Sequence, residues 1–106
     1  MTLPEIVETS VFTRRLVRLL SPEAYRLLQL FLALHPEVGV LIPGSGGLRK
    51  LRWSGKSKGK RGGTRLIYYW EPSQGKIYLL FIFAKNERLD LTPYQLRRLR
   101  EILEEE

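Results

Sequence analysis

Cysteine is absent from all 106 residues. That excludes a disulfide framework, a thiolate nucleophile and any cysteine-based zinc site. Histidine occurs once, as His35 beside Pro36, and a lone imidazole at a predicted helix end is more often structural than a ligand or catalyst. No grouping of His, Glu and Asp has metal-ligand spacing, so neither a metal nor another cofactor is expected. Long apolar runs are missing as well. Leu27–Leu34 is broken by Gln29, and Ile77–Ala84 is far short of the roughly 20 residues that span a bilayer. The start, Met1-Thr2-Leu3-Pro4-Glu5, shows no basic stretch followed by an apolar core, so no secretory signal is expected. A cytoplasmic protein without membrane association is the expectation.

Acidic residues are also lacking from one long segment. Nothing acidic lies between Glu37 and Glu71, whereas Arg49, Lys50, Arg52, Lys56, Lys58, Lys60, Arg61 and Arg65 all do. The whole chain carries 18 Lys plus Arg against 11 Asp plus Glu, a net charge of +7. Such a balance speaks to partners rather than to fold. Eight uncompensated cations in one segment attract a polyphosphate strongly and in a salt-dependent way, although a charge run can equally be a solvated loop.

The length suits one domain, residues 1–106, with a single modest core. A short strand is expected near Ile6–Glu8. Val11, Phe12, Leu16, Leu19 and Leu20 then recur at helical spacing, with Ser10 able to cap the first turn. Ser21-Pro22 restarts a helix, Pro standing where a missing N–H costs nothing. Ala24, Leu27, Leu28, Phe31 and Leu32 form its predicted buried stripe, and His35-Pro36 ends it. With almost no linker the two helices form an antiparallel hairpin.

After the break at Pro43-Gly44-Ser45-Gly46-Gly47 the pattern changes to strands. Along Leu48–Trp53 the residues Leu51 and Trp53 point one way, Lys50 and Arg52 the other. Ser54–Gly63 reads as a Gly/Ser/Lys hairpin connection. Along Thr64–Trp70, Arg65, Ile67 and Tyr69 share one face, Leu66, Tyr68 and Trp70 the other. Ile77–Ala84 suits a central strand covered on both faces. A final helix opens with Thr92-Pro93 and a Thr92…Gln95 capping box, and Leu96, Leu99, Ile102 and Leu103 form its apolar stripe. The predicted fold is α+β, with helices packed on a small antiparallel sheet.

The chemistry these residues permit is narrow. Gly44-Ser45-Gly46-Gly47 lacks the lysine spacing and the following helix of a nucleotide phosphate loop. A sheet face carrying cations is enough to cleave RNA, because the substrate supplies its own nucleophile, the ribose 2′-hydroxyl. The protein must accept that hydroxyl's proton, stabilise charge at phosphorus and protonate the leaving oxygen. Lysine accepts a proton where neighbouring cations favour its neutral form, and arginine holds phosphate oxygens in its planar fork. Tyr68, Tyr69 and Trp70 could stack bases or simply pack the core, and packing is the better expectation for at least two of them.

Three stretches then resemble the RelE-like toxins of the HigB branch. They are Ile42-Pro43-Gly44-Ser45-Gly46-Gly47-Leu48-Arg49-Lys50-Leu51-Arg52-Trp53, Gly59-Lys60-Arg61-Gly62-Gly63-Thr64-Arg65-Leu66-Ile67-Tyr68-Tyr69, and Tyr78-Leu79-Leu80 through Phe83-Ala84-Lys85-Asn86-Glu87. The resemblance implies a RelE-like domain with an N-terminal helical hairpin and a C-terminal helix. It also implies a toxin of a type II toxin–antitoxin pair, an endoribonuclease that cuts mRNA in the ribosomal A site without metal.

Lys50 and Arg52 match the family's paired basic residues, for proton acceptance or phosphate binding, and Arg65 matches the arginine that steadies the transition-state phosphate. Lys85 stands where the family places a further cation. Some relatives carry an arginine one residue later, where this chain has Asn86, which leaves the general acid open between Lys85 and Arg88. Tyr94 is a candidate for stacking on mRNA. Arg49, Lys56, Lys58, Lys60, Arg61 and Arg88 would contact substrate or ribosomal RNA. The implied partners are the ribosome, mRNA and a HigA-like antitoxin with a helix-turn-helix domain, acidic where it meets the basic sheet. Two rival readings are a toxin of this fold acting on DNA gyrase, against which Lys50 and Arg52 argue, and a non-catalytic nucleic-acid-binding module.

Overall fold

The computed structural model describes residues 2–53, 63–87 and 90–105. Its elements are β1 (Glu5–Glu8), α1 (Ser10–Leu19), α2 (Pro22–Leu34), β2 (Val40–Leu41), β3 (Arg49–Trp53), β4 (Thr64–Glu71), β5 (Lys76–Ala84) and α3 (Pro93–Glu104). The five strands form one sheet in the order β1-β5-β4-β3-β2. The chain is thus α+β with three helices, as expected from the pattern, but the sheet is mixed rather than wholly antiparallel. The first strand runs parallel to β5, Ile6 facing Ile77 and Glu8 facing Leu79. The remaining pairs are antiparallel.

Strand alternation sorts the side chains into two cores. On one side Leu51, Leu66, Tyr68, Ile77, Leu79 and Ile82 meet Phe12, Leu20, Ala24, Leu28 and Leu32 of the helical hairpin. On the other side Leu48, Ile67, Tyr78, Leu80 and Phe83 meet Leu99 and Leu103 of α3. The sheet therefore lies between the hairpin and the last helix, and β5 is covered on both faces. Between β4 and β5 the register slips at Ile67/Tyr68, so that Phe81 faces Ile67 and Leu79 faces Tyr68. Leu80 is the extra residue of this bulge, which turns both it and Phe81 toward α3.

Beyond Leu79 the strand β1 no longer covers β5, and α1 closes that edge. Thr9 caps α1, accepting from the Phe12 amide at 3.2 Å. Its hydroxyl also donates to the Leu79 carbonyl at 3.1 Å. Arg15 Nε donates to the Ile82 carbonyl at 2.6 Å. Open strand carbonyls are thereby satisfied by side chains of a helix. The cap is Thr9 and not Ser10, which is the first helical residue.

The helix α2 begins at its expected Ser21 cap and buries Ala24, Leu28 and Leu32. Leu27, expected in that stripe, is exposed. The capping box of α3 forms as its sequence predicts, with Gln95 N donating to Thr92 Oγ1 at 3.1 Å and Thr92 N to Gln95 Oε1 at 2.8 Å. No helix among the described residues is long and apolar enough to cross a membrane.

Candidate nucleic-acid interface

The β3–β4 register sets the position of the cations. Arg52 pairs with Arg65, and Lys50 with Ile67. Because Ile67 belongs to the α3-side core, Lys50, Arg52 and Arg65 all stand on that side of the sheet. Arg52 is exposed, and Lys50 and Arg65 are half-buried. Across β4, Arg65 faces Phe83 and Ile67 faces Phe81. The cations thus form one edge of a face whose floor is apolar and whose far half is roofed by α3. Neither Arg52 nor Arg65 has a salt-bridge partner among the described residues.

Lys50 does have one. Its Nζ lies 3.2 Å from Asp90 Oδ2. The other oxygen, Oδ1, accepts from the Leu91 amide at 3.0 Å. Asp90 sits just before α3 and is exposed, so this carboxylate is open to a ligand bound at the cations. Nothing in the sequence pattern singled out Asp90, since the pair spans 40 positions. The capping box that starts α3 at Thr92 was the only signal that this approach segment has a fixed position.

Lys85 is exposed in the turn after β5, and its amide donates to the Gly63 carbonyl at 3.2 Å. That bond puts it at the same end of the sheet as Arg65. Tyr94 is exposed in the first turn of α3, with the Arg97 guanidinium 5.9 Å from its ring centre.

Arg49 is not with the others. It shares the face of Leu51, and its guanidinium donates to the carbonyls of Glu37 at 3.0 Å and Gly39 at 2.8 Å. The alternation that presents Lys50 and Arg52 necessarily sends Arg49 to the hairpin side, where it ties down the loop after α2. Lys56, Lys58, Lys60, Arg61 and Arg88 lie outside the described residues.

The aromatic run divides as packing demands. Tyr68 is fully buried, its hydroxyl donating to the Pro36 carbonyl and accepting from the Gly39 amide, both at 2.8 Å. Burial pushes its phenol above the ordinary range, the Gly39 amide and Arg49 opposing this. Trp70 packs on the hairpin core, and Tyr69 lies on the α3 side with the Arg100 guanidinium 5.1 Å from its ring centre. The Gly44–Gly47 turn serves structure. The Ser45 hydroxyl donates to the Ile42 carbonyl at 2.7 Å and accepts from the Leu48 amide at 3.0 Å. Gly47 has φ +101°, and a Cβ there would come within 3.0 Å of Tyr69. His35 ends α2, its amide bonding the last-turn carbonyls and its ring 5.1 Å from Phe31. Among the described residues no three His, Asp or Glu side chains could hold a metal ion.

A mixed sheet with a helical hairpin on one side and a C-terminal helix on the other is the arrangement of the RelE fold. The chain superposes on a mutant of the Escherichia coli toxin RelE in its free state with a TM-score of 0.62, covering 93% of this chain and 98% of that one at 12% identity. At that identity the likeness establishes the fold. No protein-family model matches the chain.

Proposed function

We propose that this protein is the toxin of a type II toxin–antitoxin pair and cleaves mRNA in the ribosomal A site. The observation that carries the reading is the β3–β4 register, which sets Lys50, Arg52 and Arg65 on one side of the sheet. Three cations there can grip one phosphodiester from a fixed strand pair, whose backbone cannot drift as a loop would. In the reaction the ribose 2′-oxygen bonds to phosphorus and the bond to the 5′-oxygen breaks. Arginines stay ionised, so Arg52 and Arg65 hold the phosphate oxygens while negative charge builds. The Asp90 carboxylate, held beside Lys50, takes the proton of the 2′-hydroxyl, and the Lys85 ammonium returns one to the leaving oxygen. The cytoplasm, where ribosomes work, is the place of action. The antitoxin partner carries a helix-turn-helix domain and presents acidic residues to the cationic face.

The test is a translation extract supplied with the purified protein, its mRNA read by primer extension. Cuts confined to translated frames, and lost in Arg65→Ala and Lys50→Ala proteins that remain folded, support the proposal. Unchanged mRNA alongside growth arrest in cells would shift the target elsewhere, for example to DNA gyrase. Unchanged mRNA without growth arrest would leave a passive nucleic-acid binder.

A further inference from the structure

The side of the molecule away from the cations has a different character. On α2, Leu27, Leu30 and Leu34 are 60%, 51% and 56% exposed, and Val38 just beyond is 41% exposed. The three leucines recur at i, i+3 and i+7, so they form one stripe along a helix of 13 residues, about 20 Å long. At its C-terminal end the stripe meets a groove of about 580 Å³ lined by Phe31, His35, Pro36, Glu37, Val38 and Trp70. Scattered exposed leucines are ordinary, but an aligned apolar stripe on a helix is a surface that partners cover.

Charge narrows the choice of partner. Of 18 Lys and Arg in the chain only Arg26 lies between Leu19 and Leu48, alongside Glu23 and Glu37. Arg49 reaches this side from β3, its guanidinium on the Glu37 and Gly39 carbonyls, so two cations here stand beside two carboxylates and the face has no cationic excess to hold a polyanion. Two copies of a strongly cationic chain can therefore meet here with little mutual repulsion.

We infer that α2 pairs antiparallel with α2 of a second copy of this chain, about a two-fold axis near Leu30 and Phe31. In that arrangement Leu27 lies opposite the partner's Leu34 and the reverse, as an isologous contact requires. The same axis sets Arg26 opposite the partner's His35, within side-chain reach of the partner's Glu37. Arg26 and Glu37 make no salt bridge within their own chain among the described residues, so each is available to the other copy. One helix stripe and one groove are less than a standard interface, so the dimer is a weak, concentration-dependent one. Its location behind the sheet leaves Lys50, Arg52 and Arg65 open, and the inference does not depend on what those residues do.

Sedimentation equilibrium of the full chain tests this. The weight-average mass is expected to rise with concentration from 12.4 kDa toward that of two chains, while Leu30→Glu stays at the single-chain mass with unchanged circular dichroism. Arg26→Glu and Glu37→Arg should each weaken association, and the double variant should restore it. A wild-type mass that stays constant over the soluble range overturns the proposal and leaves the stripe to a different protein. Association that persists equally in Leu30→Glu overturns it too, because another face would then be responsible.

Discussion

Arg52 and Arg65 stand directly opposite one another across β3 and β4, on the same side of the sheet. Like charges in that relationship repel, and a cross-strand pair of this kind shifts stability by about 0.2–1 kcal/mol. No acidic partner among the described residues relieves it. A pair that weakens the fold and faces solvent fits a place where a substrate supplies the missing negative charge. Arg52→Gln is therefore expected to unfold at slightly higher denaturant, by up to about 1 kcal/mol, and the proposed RNA cleavage should fall at least tenfold. Urea titration and a primer-extension assay on the same preparation check both halves. Loss of stability in the variant would mean that the arginine is held by contacts other than repulsion.

Asp90 holds the third cation by its 3.2 Å contact with Lys50. Removing that carboxylate leaves Lys50 free to engage one more phosphate. The Asp90→Ala protein should then bind single-stranded RNA more tightly, with the slope of log K against log salt steeper by about 0.7. Fluorescence anisotropy over a salt series reads it. Because the proposed mechanism has Asp90 take the proton, the same variant should also cut more slowly despite binding better.

How much of this was legible in the sequence differs by element, for physical reasons. The opposite facing of Lys50/Arg52 and Leu51/Trp53 was readable because a strand's side chains alternate with a period of two, whatever the tertiary context. The Thr92–Gln95 cap was readable because all its partners lie within one turn. Val40–Leu41 was not, since two residues are too few to show a period. Nor was the parallel pairing of β1 with β5, which depends on the crossover through α1 and α2. Thr9 and Ser10 are both capping residues. The Leu79 carbonyl, 70 positions away, also takes the Thr9 hydroxyl, and this favours Thr9. Leu27 was misplaced because a helix rich in leucine on several sides offers more than one apolar stripe, and only packing against the sheet shows which is covered.

Two phenols, the half-buried Tyr25 and the buried Tyr68, predict how the protein responds to alkali. Burial raises the Tyr25 hydroxyl above its ordinary value of 10.0, and its bond to the Glu8 carboxylate adds to this. Burial likewise raises Tyr68. A folded-state value above the unfolded one means that stability is complete below pH 10 and declines as the pH climbs beyond it, since the unfolded chain ionises first. Denaturation midpoints measured from pH 8 to about pH 11 should fall above pH 10. The Tyr25→Phe protein should lose less over that interval. A flat profile would mean that these hydroxyls are open to water.

Among the described glycines Gly39 leaves the least room for a side chain. A Cβ there would lie 2.7 Å from Tyr68 Cε1 and 3.1 Å from Arg49 Cβ. Neither neighbour can move freely. The Tyr68 hydroxyl is fixed by Pro36 and Gly39, and the Arg49 guanidinium by Glu37 and Gly39. Gly39→Ala is expected to cost about 1–3 kcal/mol by overpacking, with RNA binding intact in the folded fraction, because the cations stand on the other side of the sheet.

Thr9 joins a helix to a strand edge through its hydroxyl, beside its own amide, which also donates to the Leu79 carbonyl at 3.2 Å. It accepts from the Phe12 amide and donates to the Leu79 carbonyl, and the residue is 3% exposed. Losing a cap of this type costs about 0.5–2 kcal/mol. Leaving a buried carbonyl with one partner fewer adds about 1 kcal/mol more. Thr9→Ala should therefore lower stability by about 1.5–3 kcal/mol, whereas Thr9→Ser, which keeps the oxygen, should lose under about 1 kcal/mol. Ser10→Ala, one position on, should change almost nothing. The contrast between neighbours is the informative part, since an effect from helix propensity alone would appear at both. Amide exchange gives the spatial reading: in Thr9→Ala, protection should fall first in α1 and at the β5 edge it covers, Leu79 to Ile82, while α3 and its side of the sheet stay protected. Uniform loss across the chain would mean that α1 and β5 do not open as a separate unit.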